Sequence, residues 1–295
     1  MKVSGFTFIR NAITFDYPIV EAIQSILPLC DEVVVAVGNS DDDTLALIRS
    51  IDSNRIRIIE TVWDDTLREG GRVLADETDK ALAGVVDNCD WCIYIQGDEV
   101  LHEDGYAEIR QAMKENLHRE DVDGLLLRYK HFYGSYDYVG ASANWYRNEI
   151  RIIKPGRGIH SFRDAQGFRK PTNQKLHVVR LEACMHHYGW VKEPKAMQRK
   201  QESFHKMWHD DAWVASNVIA SEAYDYGKDL RHLVRFEGTH PKGMHQRIAR
   251  VNWHFDTDIS IDRRSIKDRL KQFCYEKLGI ELGYKNYLAV RFRNT

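Results

Sequence analysis

Trp91-Cys92-Ile93-Tyr94-Ile95-Gln96-Gly97-Asp98-Glu99-Val100 is an apolar, aromatic and β-branched run that ends in two adjacent carboxylates. Such a run reads as a buried strand of a parallel sheet. Ionised carboxylates at the edge of a core are costly unless a cation compensates them. In open α/β sheets, ligands collect beyond the carboxyl ends of the strands. The stretch therefore marks either a site for a divalent metal and its phosphate ligand, or a solvated turn whose acids cap the next helix.

Upstream of this strand the chain alternates. Strands are expected at 5–9, 32–37 and 56–61, and helices at 17–29, 43–51 and 70–86. Pro18 suits the first turn of the first helix, and Gly70-Gly71 breaks the chain before the third. That interval implies right-handed βαβ units and a parallel sheet. Downstream the pattern changes. A helix over 104–117 precedes strands at 124–129 and 149–154, joined by an aromatic-rich segment from Tyr129 to Tyr146. Residues 156–175 read as a long polar loop, and strand character resumes at 176–182 and 184–187. Beyond 193 the chain reads as mainly helical, with helices near 194–209, 213–224 and 265–278. The expected organisation is a core over 1–192 and a helical extension over 193–295 packed on it, with no repeat or flexible linker.

Composition narrows the function classes. The 295 residues have 43% hydrophobic and 29% charged content, as an ordinary globular protein does. A formal net charge of -2 argues against a general nucleic-acid binder, which needs a basic excess. Five cysteines, an odd number, read as reduced core thiols. Cys89-Asp90-Trp91-Cys92 lacks the second C-x-x-C of a zinc site. The opening residues look like a first strand and are too short an apolar run for a signal peptide. No segment reaches the roughly 18 apolar residues of a membrane span. A cytoplasmic protein is expected, with peripheral membrane contact compatible.

Several residues suit a site. Arg10-Asn11 ends the first strand, where the planar guanidinium reaches either a diphosphate or a surface carboxylate. Arg72 opens the long helix, whose N-terminus attracts anions. Asp41-Asp42-Asp43 follow the second strand; they either hydrogen-bond a base or ribose, or cap the next helix. No G-x-G-x-x-G or G-x-x-x-x-G-K-[ST] is present, which disfavours dehydrogenases and P-loop enzymes. His186-His187-Tyr188-Gly189-Trp190 follows a short strand. Two carboxylates at one strand end and a histidine at another form an O,O,N set that suits Mn²⁺ or Mg²⁺ with positions left for phosphate oxygens. His205 and His209 lack the Glu of H-E-x-x-H. The aromatic-rich segment reads either as core or as sugar-stacking surface, and His240 as a pocket-lining residue.

Phe8-Ile9-Arg10-Asn11-Ala12, the run from Pro28 to Thr44, Tyr94-Ile95-Gln96-Gly97-Asp98-Glu99 and His187-Tyr188-Gly189-Trp190 together resemble the family 2 glycosyltransferases of the GT-A fold. The resemblance implies a Rossmann-like, mostly parallel central sheet flanked by helices. It implies a nucleotide-diphospho-sugar donor, UDP- or GDP-linked, held by Arg10, Asn11, Asp41, Asp42, Arg72, Gln96, Gly97 and Asp98. The acceptor would be a carbohydrate or lipid-linked hydroxyl. The family's D-x-D motif falls on Gln96-Gly97-Asp98-Glu99. Asp98 and Glu99 then hold Mn²⁺ or Mg²⁺, and His187 completes the set. Gln96 stands where the family has its first Asp, and an amide binds a cation less well.

Inverting members need a carboxylate that takes a proton from the acceptor; Asp164 is matched to that role, then Glu149. The function implied is inverting, metal-assisted sugar transfer in glycan or cell-envelope polysaccharide synthesis. Gln96 motivates an alternative, a nucleotide- or glycan-binding protein without turnover. A nucleotidyltransferase ranks third, because no glycine-rich phosphate loop follows the first strand. The C-terminal extension is expected to read the acceptor or to make a homodimer.

Overall fold

The computed structural model describes every residue except 68, 144, 210, 218–220, 228–231, 261, 263, 279–281 and 291–295. Its first half runs β1 (Val3–Ile9), α1 (Ile19–Ile26), β2 (Glu32–Gly38), α2 (Thr44–Arg49), β3 (Ile56–Thr61), α3 (Arg72–Ala83) and β4 (Trp91–Tyr94). Then come β5 (Glu99–Leu101), α4 (Tyr106–Asn116), β6 (Gly124–Tyr133), β7 (Tyr138–Gly140), β8 (Asn148–Ile153), β9 (His160–Phe162), β10 (Gly167–Arg169) and β11 (His177–Trp190). The remainder holds α5 (Pro194–Lys206), α6 (Asp211–Asn217), β12 (Leu233–Arg235), α7 (His245–Ala249), α8 (Ile266–Leu278) and β13 (Leu288–Ala289).

One mixed sheet carries the order β12-β7-β6-β8-β4-β1-β2-β3. Its β3-β2-β1-β4 side is parallel throughout, as the unbroken β-branched runs require. β8 then joins both β4 and β6 antiparallel, while β6 pairs β11 in parallel. β11 also carries β5 antiparallel, with His187 opposite Glu99. The Rossmann-like α/β fold with flanking helices is therefore present. The chain begins in the middle of the parallel side and adds strands first to one flank of β1, then to the other. That reversal opens a crevice at the carboxyl ends of β1 and β4, where ligands bind in such sheets.

The helices cover the sheet through apolar stripes. In α1, Ile19, Ala22, Ile23 and Ile26 are completely buried; each large side chain contributes about 1.5–3 kcal/mol relative to exposure. α3 is preceded by Gly71, whose φ of 70° ends the loop in a left-handed turn. The five cysteines are free thiols, with Cys89 and Cys92 3.7 Å apart in the core.

Three sequence expectations change, at the 156–175 loop, the paired strands from 176 to 187 and the 213–224 helix, and one open alternative is resolved. The polar 156–175 stretch contains the β9–β10 hairpin, because the buried Arg169 guanidinium and the Ser161 backbone N–H bond to partners far along the chain. The strands expected at 176–182 and 184–187 are one, β11, with a bulge between Arg180 and Cys184. The aromatic-rich segment is largely core: Tyr129, Phe132, Tyr133, Tyr136 and Tyr138 are buried, and only its end, Trp145 and Tyr146, reaches a cavity. The helix expected near 213–224 is α6, ending at Asn217, and residues 218–220 lie outside the described ones. No helix among the described residues is long and apolar enough to cross a membrane.

Candidate active site

A cavity of about 1020 Å³ opens at the carboxyl ends of β1, β2 and β4. Arg10, Asn11, Asp41, Gln96, Gly97, Asp98, Asp164 and His187 all line it. This wall is drawn from five separate stretches of chain.

At one end, Arg10 lies over the Trp63 ring at 5.5 Å. Its guanidinium donates to the Asn39 carbonyl at 3.0 Å and to Asp65 at 2.8 Å. Asn11, in left-handed backbone with φ of 54°, accepts from the Asp41 amide at 2.8 Å and donates back to its carboxylate at 3.3 Å. Loop β1–α1 and loop β2–α2 are thereby locked together.

Asp98 occupies the centre. Burial alone would raise its pKa, but the ammonium charges of Lys200 and Lys192 are among the influences that outweigh burial and hold it well below the usual carboxylate range. Lys200 Nζ donates to Asp98 Oδ2 at 3.3 Å and to the Gly189 carbonyl at 2.9 Å. His187 Nε2 stands 3.7 Å from Asp98 Oδ1. Gly189 permits this convergence, since a Cβ there would fall 2.7 Å from Asp98 Oδ2 and 2.8 Å from His187 Nε2.

The tautomer of His187 follows from its neighbour. His131 Nε2 is 2.8 Å from the Tyr146 carbonyl, which only accepts, so that nitrogen carries the proton. His131 Nδ1 must then accept from His187 Nδ1, 3.2 Å away. His187 Nε2 is left as a bare lone pair beside a carboxylate, and burial lowers the pKa of both rings. A lone pair and a carboxylate oxygen turned to one point suit a cation between them. Asp98 and His187 fit a Mn²⁺ or Mg²⁺ that takes its other ligands from water and phosphate, as these hard ions do. Among the described residues no group of three His, Cys, Asp or Glu side chains is placed to hold a metal.

Glu99 departs from its expected role as a metal ligand. It is fully buried, and Arg151 grips it with Nε at 2.9 Å and Nη2 at 2.7 Å. Tyr129 donates a further bond at 2.8 Å and the Gln96 amide one at 3.1 Å. The compensating cation for this carboxylate is Arg151, lying against the rings of Tyr94 and Tyr129. Asp42 is likewise turned to the backbone. It accepts from the Thr44 amide at 3.0 Å and the Thr14 amide at 2.8 Å, so Asp42, with no cap bond from Asp43, ties down the start of α2. Arg72 does not line the cavity. Gln96 faces it, but donates at 3.0 Å to the carbonyl of Ala165. His240 is held between Tyr188 and the Tyr136 carbonyl, and packs on Phe132.

Gln96 thus anchors the turn that presents Asp164. The residues on either side of Asp164, Arg163 and Ala165, have φ of 58° and 62°. Non-glycine residues pay a conformational penalty in that region and cluster at functional sites. Burial raises the Asp164 pKa, with Arg163 among the opposing influences. Glu149 lies elsewhere, on a second cavity beyond Gln166, and burial pushes it up to about 8.

Sequence reasoning passed over Lys200, Lys192, His131, Arg151 and Trp63. Lys192 is fully buried, its pKa brought down to about 7 by burial and by Lys200, and Nζ donates to the Asp16 carbonyl at 2.7 Å. Lys192 and His131 had a signal: a lysine two residues after His187-Tyr188-Gly189-Trp190, and a histidine alternating with Tyr129 and Tyr133. Lys200, on an ordinary polar helix, had none.

No family model matches the chain, and no curated protein matches it. Solved structures similar to it include TarS of S. aureus, residues 1–349 with UDP bound. That match has 13% identity, covers 75% of this chain and 68% of that one, and has a TM-score of 0.42. Glucosyl-3-phosphoglycerate synthase from Mycobacterium tuberculosis, solved with Mn²⁺, UDP and phosphoglyceric acid, has 21% identity over 44% of this chain and 43% of its own, with a TM-score of 0.28. Mannosyl-3-phosphoglycerate synthase from Rubrobacter xylanophilus has 18% identity over 46% and 42%, with a TM-score of 0.30. The chain spans less than half the length of these two synthases.

Proposed function

We propose that this protein is a glycosyltransferase that moves a sugar from a nucleotide-diphospho-sugar to a hydroxyl acceptor with inversion. The observation that carries the reading is the convergence of Asp98, His187 and Lys200 on one cavity at the strand ends, with the Asp164 carboxylate on the same wall. The motif resemblance, from Phe8-Ile9-Arg10-Asn11 to His187-Tyr188-Gly189-Trp190, supports it independently.

The nucleoside lies against Phe8, Trp63 and the Asn11–Asp41 pair. Arg10 is held over Trp63, where a base or ribose meets a flat cationic wall. The diphosphate lies near Lys200, whose ammonium offsets negative charge growing on the leaving group. A divalent ion held by Asp98 and His187 would supply further charge stabilisation there. Asp164 takes the proton from the acceptor hydroxyl. The acceptor oxygen bonds to the anomeric carbon as the bond from that carbon to the phosphate oxygen breaks, and the nucleoside diphosphate leaves with the electron pair. Desolvation makes the Asp164 carboxylate a stronger base than an exposed one, and such a base contributes roughly 10²–10⁴-fold. The apolar lining limits the competing attack by water. Mn²⁺ or Mg²⁺ dependence, and a place in glycan or envelope synthesis, belong to the same proposal.

Calorimetric titration with UDP, GDP, CDP and dTDP, each with and without Mn²⁺, tests the reading. One nucleotide is expected to bind, more tightly with metal, and Asp98→Ala to remove the metal enhancement and transfer. Binding of no nucleotide would refute the transferase.

A further inference from the structure

A second cavity, of about 300 Å³, adjoins the first behind Tyr146 and Gln166, which line both. It lies between the start of β8, the β9–β10 hairpin and the segment before β13. Its volume is at the lower end of the roughly 300–1,000 Å³ found for ligand pockets.

Its lining contains polar atoms with nothing to bond. Asn148 is 4% exposed and neither atom of its amide has a partner. Glu149 is 3% exposed; Oε1 accepts from Gln166 at 2.8 Å, while Oε2 has no partner. Asn286 Oδ1 has none either. A buried polar atom left unbonded costs about 1–3 kcal/mol, so several lining one cavity indicate something that bonds them. Gly167 keeps the space open: a Cβ there would fall 2.1 Å from Asn286 Nδ2 and 3.4 Å from Glu149 Oε2.

The chemistry of this lining selects its occupant. The unbonded set mixes an amide N–H donor with carbonyl and carboxyl oxygens. Hydroxyl groups, which both donate and accept, match such a set. At the buried end a phosphate or carboxylate would meet the oxygens of Glu149 and Asn286 as like dipoles; Arg147, Arg163, Lys271 and Lys285 also line the cavity, which is why anions serve as contrasts in the test. Burial and the charges of Glu99 and Asp164 raise the Glu149 pKa, against the pull of Arg151, so that it donates as a neutral acid. Trp145, Tyr146 and Tyr284 supply flat faces for the C–H side of a ring.

We propose that this second cavity is the acceptor site and takes a neutral, polyhydroxylated ring such as a sugar. The proposal rests on the transferase reading for what happens next, but binding itself does not. An occupant reaches the donor cavity past Gln166, two residues from Asp164, so the hydroxyl nearest that opening is the one that attacks. Glu149 is a binding group here and does not take the proton.

Saturation-transfer NMR with the intact protein tests the assignment, using methyl glucoside, methyl mannoside, methyl galactoside and methyl N-acetylglucosaminide as probes, with 3-phosphoglycerate and inorganic phosphate as anionic contrasts. UDP affinity is measured alongside. At least one glycoside is expected to bind the wild type. Gly167→Ala, which fills the cradle, and Asn286→Leu, which removes the orphan amide, should each weaken it at least tenfold with UDP affinity unchanged. A folded Gly167→Ala or Asn286→Leu variant that binds the glycoside as wild type does overturns the proposal. So does UDP binding with no glycoside bound, or preference for the anions, or a crystal structure soaked in glycoside with only water bridging Glu149 and Asn148. Glycoside binding lost in both variants, in a protein that binds no nucleotide, would uphold this site and refute the transferase.

Discussion

His131 reaches the cavity only through His187, yet it decides which nitrogen of that ring is free. His131→Phe keeps the stacking on Trp145 and Tyr129 and removes the acceptor for His187 Nδ1. Loss of such a supporting partner typically costs roughly 10–100-fold in metal affinity. Mn²⁺ titration should register a drop of that size, with metal-free UDP binding unchanged; equal Mn²⁺ affinity would contradict the tautomer assignment. Glu149 gives a separate handle. Its folded pKa of about 8 lies above the 4.5 of the free side chain. Between those values the folded protein holds a proton that the unfolded chain has released, so stability falls as pH rises through that window. Glu149→Gln keeps the shape without the charge and should flatten this part of the curve. An identical slope in both proteins would show that another group causes it.

Among the elements, the turn between β9 and β10 depends most on its neighbours. It is held by Gln96 from the β4 end and rests on Gly71, where a Cβ would fall 2.8 Å from the Asp164 Cβ. Gly71→Ala meets both that contact and a left-handed φ, which costs about 1–2 kcal/mol for a residue with a side chain. We expect turnover to fall several-fold further than UDP affinity, because Asp164 moves and the nucleotide wall does not. Equal losses in both would argue against Asp164 as the base. The hairpin was also the element least visible in the sequence. Its strands carry His160, Arg169 and Phe162 in no clean alternation, and their burial depends on Asp79, Asn286 and Tyr284. β1 to β4, by contrast, are apolar runs whose local pattern and tertiary environment agree, and were legible to within two residues.

At the scale of the whole molecule, the Glu99–Arg151 pair joins β5, carried on β11, to β8, which lies between β4 and β6. Arg151→Met leaves a buried carboxylate uncompensated and should cost about 3–5 kcal/mol, measured by urea unfolding. Glu99→Leu together with Arg151→Met should recover most of that loss. A single variant as stable as wild type would refute the cross-link. The same pair explains the sequence misreading of Glu99. The need for a cation was visible at residue 99, but the arginine lies beyond β6 and β7, and only the β4–β8 register brings it back. That Asp98 and His187 share one cavity was legible, because their strand-end positions were sufficient. Lys200 was not, because its meaning comes entirely from where α5 docks.

The register that sets His187 opposite Glu99 also orders events in time. The chain emerges from the ribosome N-terminus first, and β1 to β4, whose ends line the proposed nucleoside wall, are made before any of β11. A nascent or truncated chain ending before His187 has Arg10, Asn11, Asp41 and Trp63 of the cavity wall, but lacks the imidazole, both lysines and the strand that fixes them. On the proposed reading, the means of holding a nucleotide and the means of cleaving its sugar are therefore acquired at different lengths of the same polypeptide. The second belongs to β11, which closes between β5 and β6 and brings His187 to the cavity last.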